Sequence, residues 1–171
     1  GGSVIKALAS IVKENNIKSL AFESDVLSFG EYSELRKLVD IELVPTQGVV
    51  EELRSIKTPQ EIEYLRNACE ISCRAFWRIL DDIRVGVTEK ELAAKLSAYM
   101  VMEGADTQPY GNILISAPNT SLLHGIPSDR PVHYGDFVLM DYGCQFNGYM
   151  SDMTRTVVVG KASDKQKEVY G

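Results

Sequence analysis

At 171 residues, with 44% hydrophobic and 25% charged residues, the chain has the composition of a globular protein able to bury the core of one domain. A formal net charge of −6 and the lack of any lysine or arginine cluster exclude a phosphate-neutralising surface, so no nucleic acid is expected as a partner. No apolar run approaches the roughly 18–20 residues of a membrane span and no leader peptide is visible, so the expectation is no membrane partner and a cytoplasmic location.

Val4 to Asn15 carries apolar residues at helical spacing, Ser19 to Phe22 is a short strand candidate, Glu31 to Val39 returns to helix, and Ile41 to Val44 is extended again. This alternation is the α/β pattern of a parallel sheet. Two strands are too few for an independent sheet, so residues 1–57 read as the C-terminal part of an α/β N-terminal domain plus a linker, Pro45 to about Ile56 forming the connection.

Thr58-Pro59-Gln60-Glu61 marks a new start, with threonine as N-cap, proline at the first helical position and glutamate closing a capping box. The helix it opens is expected to run to about Arg84 and to end at Gly86. Ile62, Leu65, Ala68, Cys69, Ile71, Cys73, Phe76 and Ile79 supply its apolar positions. Phe76 and Trp77 read as core or domain contacts. Cys69 and Cys73, four apart with no paired histidines nearby, read as small core residues rather than zinc ligands. Three scattered cysteines, Cys144 being the third, do not make a disulfide framework.

Thr88-Glu89-Lys90-Glu91 is a second capping box, opening a helix through Leu92, Leu96 and Met100 to Gly104. Asn112 to Ser116 is a strand. Ala117 to Asp136 contains Pro118, Pro127 and Pro131, reads as loop, and carries both histidines. Loops held by a rigid sheet commonly carry function, which makes His124 a candidate; His133, before the Tyr134-Gly135-Asp136 turn, reads as solvated.

The most informative stretch is FVLMDYGCQFNGYMSDMTRT, Phe137 to Thr156. Asn147-Gly148 between two alternating runs signals a type I′ hairpin, whose two central residues need positive φ. Pairing Phe146 with Tyr149 sets Gly143 opposite Asp152 and Thr154 opposite Asp141. Asp141 and Asp152 then become diagonal neighbours on one face, with Cα atoms roughly 7–8 Å apart. Gly143 leaves the space between them open. The apolar flanks, Phe137, Leu139 and Val157 to Val159, predict that both carboxylates lie inside the fold, where unpaired charge is costly and a cation is called for. Tyr110 and Thr154 are candidates for the pocket edge, Thr154 because its hydroxyl faces Asp141 and can orient that carboxylate, with packing as the alternative for both. Cys144 points away from Asp141 and reads as structural.

The ordered set His124-Gly125, Gly135-Asp136-Phe137, Asp141-Tyr142-Gly143, Gly148-Tyr149, Ser151-Asp152-Met153-Thr154-Arg155-Thr156 and Gly160 resembles the pita-bread metallopeptidases, which include Xaa-Pro aminopeptidases, prolidases and methionine aminopeptidases. The resemblance implies an α+β fold: an incomplete pita-bread (creatinase/aminopeptidase-like) catalytic domain, residues 58–171 being its first half, preceded by the end of an α/β domain. It implies that Asp141 binds one ion, that Asp152 bridges two, and that His124 stabilises substrate or transition state. Thr154-Arg155-Thr156 and the N-terminal extension favour the proline-specific branch. His124-Gly125-Ile126-Pro127 resembles the methionine branch, and Leu123 stands where bacterial proline-specific members commonly have proline. The family completes its site with a histidine and two glutamates downstream, and no histidine follows His133 here. The expectation is therefore a piece of a longer protein, inactive by itself. The cofactors implied are two divalent ions, Mn²⁺, Co²⁺, Zn²⁺ or Fe²⁺, the substrate is a proline-containing peptide, and the full-length protein is a homodimer. The alternatives are a non-catalytic pita-bread protein-binding module and a metal-independent, creatinase-like hydrolase.

Overall fold

A computed structural model describes residues 3–108 and 110–170. The chain divides into two units, Gly1–Lys57 and Thr58–Gly171. In the first, α1 (Val4–Glu14) and α2 (Phe29–Leu38) pack around Ile5, Ala9, Val12, Leu35 and Val39 beside two strands, β1 (Ser19–Glu23) and β2 (Glu42–Thr46). The strands are parallel, Ser19 pairing with Glu42 and Glu23 with Thr46. Ile5, Ala9 and Val12 recur at helical spacing, and that periodicity decides which face of α1 is covered. The expected connection from Pro45 to Ile56 is different in structure. Pro45 and Thr46 complete β2, and after Gly48 turns the chain at φ 68, Val49–Ser55 forms a further helix, α3. None of its residues is buried, so no apolar stripe announces it; Glu51 and Glu52 in its first turn complement the helix dipole instead.

The second unit opens with α4 (Pro59–Ile79), whose Thr58–Glu61 capping box forms reciprocally. The helix stops at Ile79, five residues before Arg84. Asp81 and Asp82 would sit unfavourably in a helical C-terminus; Asp82 turns out to accept from Lys95 and Tyr99 of α5 (Glu89–Met102). Gly86, at φ 94, lies in the turn beyond. The buried stripe of α4 is Ala68, Ile71, Ser72, Ala75 and Ile79. Cys69 and Cys73 are exposed, correcting their reading as core residues, because each is rotated about 100° per residue away from that stripe. Trp77 is 68% exposed and is not a core residue; Phe76 is half-buried and meets its ring edge-on.

A three-stranded antiparallel sheet follows, ordered β3 (Ile113–Ser116), β4 (Phe137–Tyr142), β7 (Met153–Val158). Between β4 and β7 the hairpin tip forms β5 (Gln145–Phe146) and β6 (Tyr149–Met150), closed by Asn147 and Gly148 at φ 48 and 84. Both strand pairs share one register, Phe146 opposite Tyr149 and Asp141 opposite Thr154. Leu92, Leu96 and Met100 of α5 and the α4 stripe cover the sheet face formed by Leu114, Val138, Met140 and Tyr142. The chain continues into α6 (Asp164–Tyr170). Among the described residues no helix is long and apolar enough to cross a membrane.

Candidate active site

Strand alternation delivers the site. With Val138, Met140 and Tyr142 turned into the core, Asp141 projects from the opposite face of β4, in a row with Ile113 and Thr154 on its two neighbours. That face is only half covered: Asp141 is half-buried and Asp152 exposed. The expectation that both carboxylates lie inside the fold is therefore corrected. The apolar flanks cover one side of the strands and leave the other open.

Beyond Tyr142 and Met153 the ladder is modified. The Ser151 amide donates to the Cys144 carbonyl at 2.9 Å, but the return bond from the Cys144 amide goes to Ser151 Oγ at 3.1 Å. The Ser151 carbonyl is left to accept from the Tyr110 hydroxyl at 2.9 Å. A Cβ on Gly143 would lie 2.0 Å from that carbonyl oxygen and 2.2 Å from the Tyr110 hydroxyl. The space that the sequence leaves open at Gly143, between the two aspartates, is filled by Tyr110. The altered pairing is anchored to α4, Ser151 Oγ sharing a 2.7 Å hydrogen bond with Ser72 Oγ. Sequence reasoning missed Ser72 and Ser151. The only signal was a small polar residue, Ser72, on an otherwise apolar helical stripe.

Tyr110, His124, Asp141 and Asp152 line one cavity of about 540 Å³, together with Asn112, Ile113, Gly125, Ile126 and Pro127. Thr154 is not in its lining but donates to Asp141 Oδ1 at 3.1 Å. The Tyr110 hydroxyl feels both aspartates. Desolvation, then the charges of Asp152 and Asp141, then a hydrogen bond with Asp152, push its pKa up to about 12. His124 reaches the cavity from the loop after β3, where Gly125 is pressed so closely on Ile115 that a Cβ would come within 2.8 Å of its Cδ1.

Two carboxylates converging on one phenol, with no lysine or arginine among the described lining residues, make an acidic oxygen-donor set. Such a set suits a divalent cation. Among the described residues no group of three or more His, Cys, Asp or Glu side chains forms a metal cluster, so this chain supplies a pair of donors rather than a closed cage.

Comparison with known proteins matches residues 63–171 to the model of metallopeptidase family M24 and residues 2–56 to that of the creatinase/prolidase N-terminal domain. The chain is 41% identical over 171 residues to the uncharacterized peptidase YqhT of Bacillus subtilis, covering 99% of this chain and 48% of that protein. It is 39% identical over 155 residues to an Xaa-Pro dipeptidase of Pyrococcus horikoshii, covering 90% and 44%. Among solved structures, an Xaa-Pro dipeptidase from Bacillus anthracis matches with a TM-score of 0.93 and 42% identity, over 99% of this chain and 48% of that one. The chain spans about half the length of the curated relatives it matches.

Proposed function

The chain belongs to metallopeptidase family M24, and from that premise we propose that the whole protein is a metal-dependent exopeptidase cleaving the bond before proline in Xaa-Pro dipeptides or at the N-terminus of longer peptides. Residues 1–57 are the end of its α/β N-terminal domain and residues 58–171 the first half of its pita-bread catalytic domain. The observation that carries the reading is that Asp141, Asp152, Tyr110 and His124 line one cavity, with no lysine or arginine among its described lining.

Asp141 and Asp152 would hold two divalent ions, drawn from Mn²⁺, Co²⁺, Zn²⁺ or Fe²⁺. When bound, such ions polarise a carbonyl and make water a nucleophile at neutral pH. The protein's own groups do the rest. Thr154 holds the Asp141 carboxylate in one orientation, and Tyr110, its O–H donated to the Ser151 carbonyl, lines the same cavity. His124, through a ring N–H, donates to the oxygen that gains charge as the peptide bond breaks. The proline nitrogen of an Xaa-Pro bond carries no hydrogen, so recognition of the ring falls to shape and apolar contact, which Ile113, Ile126 and Pro127 provide.

The test is hydrolysis of Xaa-Pro dipeptides and of longer Xaa-Pro peptides by the whole protein, before chelation, after it, and after returning each of the four metals. Cleavage before proline that chelation abolishes and a metal restores is the expected result. A folded, metal-loaded protein that cleaves neither substrate would leave a binding module or a creatinase-like hydrolase.

A further inference from the structure

Among the described residues no Asp, Glu, Lys or Arg other than Glu89 is buried, and Glu89 is wholly so. It occupies the first turn of α5, where the helix dipole favours a negative charge. Every donor it collects comes from the segment that carries His124. Its Oε1 accepts from the Ser116 amide at 2.7 Å, the Ser116 hydroxyl at 2.8 Å and Asn119 Nδ2 at 3.1 Å. Its Oε2 accepts from the Ser128 amide at 2.9 Å and the Ser128 hydroxyl at 2.7 Å. One carboxylate thus ties the departure of the loop at 116–119 to its return at 128, with His124 between. The backbone repeats the closure: the Lys90 amide donates to the Ser128 carbonyl and the Glu89 amide to the Arg130 carbonyl, each at 3.1 Å.

We propose that Glu89 is a positioning residue for His124, its saturated carboxylate closing the loop of residues 116–128 so that the imidazole is held toward the cavity before substrate arrives. The proposal rests on the reading of His124 as a catalytic group. It requires an acceptor on both oxygens. Glutamine has the same shape, but its NH₂ would face a backbone N–H at one end of the loop or the other, and that end would be released.

Glu89→Gln in the whole, metal-loaded protein tests it. A shift of the imidazole by about an ångström lowers kcat for an Xaa-Pro substrate roughly 10- to 100-fold, with metal content unchanged. On a His124→Ala background the same change costs less than about twofold further, because the residue acts through a side chain already gone. A loss of equal size on both backgrounds, or unaltered kcat, overturns the proposal. Hydrogen–deuterium exchange supplies a readout independent of activity: Glu89→Gln speeds exchange at 117–128 and leaves α4 unchanged. Unaltered exchange there also overturns it. If the wild-type protein cleaves no Xaa-Pro bond, the functional reading fails, and the exchange result still decides the clamp. Should Glu89→Gln not fold, Ser128→Ala removes a single donor and gives a smaller change in the same direction; no change would count against the clamp.

Discussion

Glu89 and the pair Asp141 and Asp152 are carboxylates of one unit, kept in opposite ways. Glu89 is wholly buried and accepts from two backbone amides, two hydroxyls and a side-chain amide. Among the described residues Asp141 accepts from Thr154, and with the exposed Asp152 it lines a cavity without cationic side chains among its described lining. A saturated carboxylate has nothing left to offer a ligand, and its charge is spent on holding chain segments together. An unsaturated pair is poor glue but retains free lone pairs aimed at solvent space. Burial alone would have ranked Glu89 as the functional acid; counting donors reverses that order.

The largest effect expected from this contrast is that of Asp152→Asn in the whole protein. Xaa-Pro hydrolysis falls by roughly 10³-fold or more, since several kcal/mol of transition-state stabilisation depend on an intact metal site. Thermal stability of the metal-free protein is unchanged or rises, because one of two like charges facing Tyr110 is removed. Calorimetry and a steady-state assay on the same sample check both parts. A metal-free protein that melts well below wild type would mean that Asp152 is structural, and the contrast would break.

How much of this was legible in the sequence follows from how local each signal is. The capping boxes at Thr58 and Thr88 and the Asn147-Gly148 turn are complete within four residues, and all form as their residues dictate. Which face of α4 is buried is not local. Its apolar residues spread over more than half the circumference, so Cys69, Cys73 and Trp77 could be assigned only once the sheet was in place. Glu89 was visible as one letter of a capping box, yet its donors lie 27, 30 and 39 residues away, beyond any periodicity. At Gly143 the missing side chain is legible, but what occupies the space is not. The register around it is a local property of the turn, whereas the Tyr110 hydroxyl that fills the space comes from the segment between α5 and β3, more than thirty residues earlier in the chain.

Gly143→Ala sharpens the contrast from the backbone side. Its Cβ would fall 2.0 Å from a backbone carbonyl that cannot move freely, whereas a Cβ on Gly125 would meet side-chain atoms, Ile115 Cδ1 at 2.8 Å and Ile115 Cγ2 at 3.2 Å. Overpacking of this kind costs about 1–3 kcal/mol. Gly143→Ala should lie at the upper end and Gly125→Ala at the lower, by denaturant unfolding. Equal costs would show that the backbone at Ser151 yields easily and that the site is not preorganised.

Acid should act on Glu89 with a definite sign. Desolvation pushes its carboxyl upward, but the bonds from Ser128 and Ser116 overrule it and hold the group below its ordinary 4.5. The stability it confers is therefore complete above about 4.5, the unfolded value, and is lost as pH falls through the lower folded value. The contribution to the slope is at most one proton, about 1.4 kcal/mol per pH unit. Subtracting the acid limb of Glu89→Gln from that of wild type isolates it; identical limbs would mean that the buried carboxylate is not charged.

The smallest effect expected is at Thr154. Its hydroxyl bond to Asp141 spans an open face, where water replaces a lost donor, so Thr154→Val changes unfolding free energy by less than about 0.5 kcal/mol. Valine keeps the branched shape that suits a strand, so the sheet is not disturbed. Metal affinity is a different matter, because the hydroxyl fixes the orientation of a carboxylate that would be a ligand. Loss of such support weakens binding roughly tenfold. Titration of the metal-free protein with Mn²⁺ measures this directly, with wild type and Thr154→Val compared at the same pH. A variant that loses stability but binds metal as wild type does would place Thr154, and Asp141 with it, on the structural side of the comparison beside Glu89.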